Sequence, residues 1–236
     1  ASSGRYVVPL DADDKLSPFF LARAVAVLER EPEVGFVYSH IQHFGARTDC
    51  YQLPEFDAQT LIYQDNIVCV CSVIRRAMWE QVGGYRIDMR TGYEDWDFWI
   101  GCVEQGWKGY RLDEPLFFYR KKEGTFLEEA NKQRAYLISR IVLNHPRLYS
   151  PEYRACAEKT IHAFEHGHLD QIPSFPKVNF TIEEYVTAFT LMQKITPFAA
   201  RTELGQGIGV RESSVPHPVQ RRCCGSSGKR ILFAFP

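Results

Sequence analysis

The stretch RYVVPLDADDKLSP, residues 5–18, joins a short apolar run to an acidic turn and then to a helix start. Residues 5–10 read as a buried strand, and Asp11-Ala12-Asp13-Asp14 follows at its carboxyl end. Ser17-Pro18 predicts a helix with serine as N-cap and proline at the first helical position. Phe20, Ala24, Val27 and Leu28 then recur on one helical face until Glu31-Pro32 stops it. A strand, an acidic turn and a helix in that order mark an α/β unit. In open sheets of that class ligands bind outside the carboxyl ends of the strands.

Outward from this stretch the alternation continues. Residues 34–39 form a second strand, followed by a polar loop through Asp57. Residues 66–74 (NIVCVCSVI) are apolar on both faces, which predicts a central strand. A short helix over 76–82 ends at Gly83-Gly84, where a left-handed cap needs glycine. Gly92-Tyr93-Glu94-Asp95-Trp96-Asp97-Phe98-Trp99 opens a helix that runs to about Gly106, and residues 111–120 supply a last strand. Beyond Lys122 the pattern turns helical, at 127–144, 151–166 and 181–195, without intervening strands. The expected organisation is therefore an α/β unit over 1–122 and a helical extension over 123–200. A flexible Gly/Ser/Pro-rich linker over 201–228 and a strand beginning a further domain at 229–236 complete it. The chain opens Ala-Ser-Ser-Gly rather than with methionine. The expectation is a piece of a longer polypeptide with upstream and downstream domains.

With 45 % hydrophobic and 14 % aromatic residues the chain can bury a real core. A net charge of −1 gives no electrostatic reason to expect nucleic acid as a partner. No apolar run approaches the roughly 18 residues of a membrane-spanning helix. Seven cysteines, an odd number with no CxxC pair, indicate neither a disulfide framework nor a zinc knuckle. Reduced thiols suit a cytoplasmic protein, with peripheral attachment to the inner face of a membrane as the alternative setting.

Two constellations carry chemistry. Asp11 and Asp13 lie two apart at a strand end, so both carboxylates can face one point. Hard oxygen donors there suit Mg²⁺ or Mn²⁺, although an acidic turn ahead of a helix has the same composition. Glu94, Asp95 and Asp97 open a helix, where the macrodipole favours carboxylates whatever their role. The surrounding Tyr93, Trp96, Phe98 and Trp99 also make a partly dry setting suited to a general base. His162, His166 and His168 lack a properly spaced third metal ligand, and Cys69 and Cys71 read as small buried hydrophobes.

Together, in order and spacing, VVPLDADDKLSPFFL, EPEVGFVYSH, RRAMWEQVGGY, GYEDWDFWIGCVEQGW and RLDEPLFFYR resemble the family 2 glycosyltransferases over residues 4–122. The resemblance implies the carboxyl-terminal part of a GT-A domain, a Rossmann-like unit with a mixed sheet. It implies an inverting transfer of sugar from a nucleotide-sugar donor to a glycan or other hydroxyl acceptor. Asp13 becomes the metal ligand and Asp11 a donor or metal-water contact. Asp95 becomes the base, with Glu94 its neighbour and Asp97 a support. KRILFAFP, residues 229–236, resembles the first strand of a family 4 type GT-B glycosyltransferase.

Three departures from the pattern matter. The half of the family fold that grips the nucleotide precedes the part matched, so this piece alone is expected to bind donor poorly and to be inactive. The histidine that many members place after the last strand is replaced by Arg120-Lys121-Lys122, whose lysines could meet the diphosphate instead. The Q-x-x-R-W signature of processive synthases is missing, which favours single-sugar transfer. The rival readings are a non-catalytic remnant that binds or scaffolds and, more weakly, a metal-dependent phosphate hydrolase. If the mechanism is right, Asp11, Asp13 and Asp95 must converge on one cleft.

Overall fold

The computed structural model describes residues 3–122, 126–176, 222–223 and 230–235. It is an α/β fold on a mixed sheet. Strands β1 (Tyr6–Asp11), β2 (Lys15–Leu16), β3 (Val34–Gly45), β4 (Cys50–Tyr51), β5 (Val73–Arg75) and β6 (Lys108–Lys121) alternate with helices α1 (Phe20–Arg30), α2 (Ala58–Tyr63), α3 (Arg76–Val82) and α4 (Glu94–Glu104). Helices α5 (Phe126–Lys132), α6 (Arg134–Asn144) and α7 (Pro151–Glu165) follow, then strands β7 (Arg222–Cys223) and β8 (Arg230–Phe235). The sheet runs β2-β6-β3-β5-β1-β8-β7, with β4 on β3. The long β3–β6 pair is parallel and the other pairs are antiparallel.

The core follows from the predicted faces. Phe20, Ala24, Val27 and Leu28 of α1 are buried, as their spacing requires. Phe36 on β3 meets Trp99 of α4 at a ring separation of 4.7 Å, and Trp79 of α3 meets Phe98 at 4.8 Å. Aromatic pairs of this kind add to simple area burial, and here they fix α4 against the sheet. Helix α3 ends at Gly83 in the left-handed conformation, φ +91°, as the glycine pair indicated.

Several local expectations change. Helix α1 starts at Phe20, not Pro18, because Ser17 serves the preceding turn: its Oγ accepts from Phe19 N and its carbonyl from Phe20 N. Within 66–74 only the last two residues are strand. Upstream, Asn66 Oδ1 accepts from Val68 N, and Ser72 Oγ donates to the Cys69 carbonyl. These local side-chain bonds replace ladder bonds, so the segment is buried but irregular. The strand over 34–39 extends to Gly45 and turns back through β4 where a loop was expected. Helices α5 and α6 divide the pattern over 127–144 at Gln133. The helix expected over 181–195 and all of the 201–228 linker except 222–223 lie outside the described residues. Residues 230–235, expected to open another domain, form β8 antiparallel to β1 in this same sheet. Among the described residues no helix is long and apolar enough to cross a membrane.

Candidate active site

The acidic turn sits where β1 leaves the sheet, closed by Asp14 N donating to the Asp11 carbonyl at 3.1 Å. The end of β6 braces it. Strand β2, just after the turn, pairs with Phe117 and Phe118, which brings Tyr119 to Lys122 alongside. Arg120 N donates to Asp14 Oδ1 at 2.8 Å, and Arg120 Nε to the Asp13 carbonyl at 3.2 Å. Lys122 Nζ lies 2.5 Å from Asp13 Oδ2, and this bond holds the Asp13 carboxyl below its usual range. Asp14 behaves oppositely. Its Oδ2 is buried without a hydrogen-bond partner, and burial, reinforced by the charges of Asp11 and Asp13, pushes it up to about 7.

The second acidic turn is packed far more tightly. Gly92 has φ +136°, and a side chain there would meet Ala130 Cβ at 2.5 Å. Tyr93 has φ +59°, the one positive-φ residue other than glycine among the described residues, and α4 starts at the next position. A left-handed tyrosine costs energy and persists only where its surroundings fix it. Here Tyr93 Oη donates to Asn131 Oδ1 at 2.6 Å, and Trp96 Nε1 donates to the Leu61 carbonyl at 2.7 Å. Asp95 Oδ1 accepts from Trp96 N at 2.8 Å, and Asp95 Oδ2 from Asn66 Nδ2 at 3.2 Å. Both carboxylate oxygens are thereby oriented.

The two turns face a common point. Tyr119 is raised above its ordinary range by burial first, and then by the charges of Asp14, Asp11, Asp13 and Asp95 together. Carboxylates from β1 and from α4 thus lie within electrostatic reach of one phenol on β6. Glu94 and Asp95 are partly exposed at the start of α4. Asp97 is not a support for Asp95. Two helical positions turn it by about 200°, and it is buried against Asn144 Nδ2 at 2.8 Å and His145 Nε2 at 3.3 Å. His145 Nδ1 lies 3.0 Å from Glu104 Oε2. Sequence reading missed Asn66, Tyr119 and His145. A polar residue heading an apolar run was the available signal for Asn66, and the other two carried none.

A divalent cation fits the donor set in one mode. Among the described residues no group of three or more His, Cys, Asp or Glu is placed to hold a metal. Mg²⁺ and its kin, however, commonly keep waters and substrate phosphates and take only one or two carboxylates from the protein. Asp11 and Asp13 are of that type, and the Lys122 ammonium beside Asp13 shows that the turn accepts a cation.

No known protein-family profile matches the chain. It is 30 % identical over 130 residues to "Putative glycosyltransferase EpsE" of Bacillus subtilis, covering 53 % of this chain and 46 % of that protein. It is 28 % identical over 127 residues to "Uncharacterized protein y4gI" of Sinorhizobium fredii, covering 52 % and 14 % respectively. An "Uncharacterized glycosyltransferase" of Haemophilus influenzae is 23 % identical over 145 residues, covering 57 % and 49 %. The chain spans half or less of the length of these relatives. Among solved structures, residues 1–349 of S. aureus TarS with UDP-GlcNAc overlay with a TM-score of 0.45 at 14 % identity, over 100 % of this chain and 77 % of that one.

Proposed function

We propose that this chain is catalytic machinery of a family 2 type GT-A glycosyltransferase. The reaction is an inverting, single-sugar transfer from a nucleotide-sugar donor to a hydroxyl acceptor in glycan biosynthesis. The observation that carries the reading is the convergence of the β1-end carboxylates and Asp95 around Tyr119. The sequence similarity to two proteins named as glycosyltransferases supports it.

Asp95 acts as general base. As the acceptor oxygen bonds to the anomeric carbon, its proton passes to the Asp95 carboxylate while the bond from that carbon to the diphosphate oxygen breaks. One displacement with one base inverts the centre. The Asn66 amide and the Trp96 N–H keep the carboxylate aimed during the transfer. Asp13, with Asp11, would hold Mg²⁺ or Mn²⁺, which when bound supplies positive charge to the departing diphosphate. Lys122 adds a second cation at the same turn.

The test uses the parent protein with radiolabelled nucleotide sugars. Asp95→Asn should lower turnover by about 10²–10⁴-fold and leave donor and Mn²⁺ binding nearly unchanged. Asp13→Asn should weaken metal-dependent donor binding and turnover together. Full activity of Asp95→Asn would remove the base, and a wild-type parent that binds a partner but transfers no sugar would favour the scaffolding alternative.

A further inference from the structure

The helical extension had no role in the sequence reading, yet its first residues reach both segments that fix Asp95. Arg134 opens α6. On one side its guanidinium lies over the rings of Trp96, at 5.2 Å, and Tyr93, at 5.8 Å, with Nη1 donating to the Tyr93 hydroxyl at 3.3 Å. On the other side Nη2 donates to the Gln64 carbonyl and to Asp65 Oδ1, each at 3.3 Å. Asp65 Oδ1 also accepts from Asn66 N at 3.0 Å, and the Asn66 side chain holds Asp95 Oδ2. Arg134 therefore joins the backbone turn that launches Asp95 to the loop whose amide orients its carboxylate. Nearby, α5 closes on the same turn through Ala130 against Gly92 and Asn131 against Tyr93.

We infer that Arg134 is a positioning residue for Asp95: it clamps the left-handed Tyr93 turn and the Gln64–Asn66 loop into one rigid unit. The inference rests on the proposed role of Asp95 only for its catalytic consequence. The physical argument is that a planar cation with five fixed donors can stack on two rings and bond to two backbone segments at once, which a lysine cannot. Aim matters because misplacing a reacting group by about 1 Å can cost a hundredfold in rate.

The experiment reads amide exchange by NMR in the full chain carrying Arg134→Ala or Arg134→Lys. The reporters are the amides of Trp96 and Asp97, which bond to Asp95 Oδ1 and the Tyr93 carbonyl. Exchange there should quicken at least roughly tenfold in Arg134→Ala, by less in Arg134→Lys, and stay unchanged across β1, since only contacts of the α4 turn are lost. In the parent enzyme turnover should fall roughly tenfold to a hundredfold in Arg134→Ala with the donor KM unchanged, and Arg134→Lys should recover part of it. A folded Arg134→Ala with wild-type exchange at Trp96 and Asp97 overturns the clamp. If Arg134→Ala does not fold, Arg134→Lys with wild-type exchange and turnover overturns it. Quickened exchange together with an Asp95→Asn parent that retains full transfer would sink the catalytic reading alone and leave the clamp standing.

Discussion

The turns at Asp11–Asp14 and Glu94–Asp97 each carry three carboxylates within four residues, yet the protein holds them in opposite ways. The first is an open turn at a strand end. Its charges are compensated by mobile cations from β6, and Asp13 keeps 42 % of its side chain exposed. The second is built into a helix start by a strained tyrosine, a glycine with no room for a side chain, and a ring of aromatics. The contrast matches two chemical tasks. A group that must admit a large charged donor and its cation gains from access, because its partners arrive with the ligand. A base that must take one proton from one oxygen gains from being fixed beforehand.

The difference can be broken most forcefully at His145, which anchors the tightly held turn from behind. Burial alone would lower the pKa of this imidazole, but its bonds to Asp97 and Glu104 outweigh that and raise it to about 9. A folded-state value above the unfolded one contributes stability that is full below about pH 6.5 and is lost as pH rises through about 9. Replacing His145 by glutamine leaves two buried carboxylates short of a partner, which should cost about 3–5 kcal/mol near pH 6. Urea titrations at pH 6 and pH 9.5 should show the gap between wild type and His145→Gln shrinking at the higher pH. An equal gap at both would mean that the imidazole is not held as a cation.

A smaller effect is expected at Gly92. Adding a methyl group brings it against Ala130 Cβ, and overpacking of that kind costs about 1–3 kcal/mol before the positive-φ cost is included. Gly92→Ala should lower the melting temperature by roughly 2–4 °C per kcal/mol lost, a typical scale for a chain of this length. It should also slow transfer more than it weakens donor binding. By contrast Ala12→Ser, at an exposed position of the open turn, should leave the melting temperature within about 1 °C. Equal effects at the two sites would erase the contrast between the turns.

What the sequence made legible follows the same division. The strand into Asp11-x-Asp13, the glycine stop after α3 and the start of α4 at Glu94 were readable because each depends on residues a few positions apart. The irregular path over 66–72 was not, because an apolar run looks the same whether ladder bonds or local side-chain bonds satisfy its backbone. The roles of Asn66, Arg134 and His145 were invisible for a different reason. Each acts across dozens of positions, and an arginine or histidine on a helix surface carries no local mark of what it will meet. Asp97 misled for that reason too: proximity in sequence to Asp95 suggested shared work, but helix geometry turns the two apart.

The gentlest test falls on the open turn, at Asp14. This carboxyl is raised to about 7 by burial and by its acidic neighbours, against 3.8 when unperturbed. A group whose folded-state pKa lies above its unfolded value favours the fold while protonated, and that advantage is lost as pH rises through about 7. Above that pH the folded chain carries an ionised, half-buried carboxylate whose Oδ2 has no hydrogen-bond donor. Asp14→Asn keeps the acceptor for Arg120 N and removes the charge, so it should be neutral at pH 5 and stabilising at pH 8. Because the group is partly solvated, the gain is discounted to roughly 2–4 °C in melting temperature, the equivalent of about 1 kcal/mol. Melting curves of wild type and Asp14→Asn at both values of pH measure it directly. A loss of stability at pH 8 would show that the ionised Asp14 has a partner at this turn, and that the open turn is as fully built as the closed one.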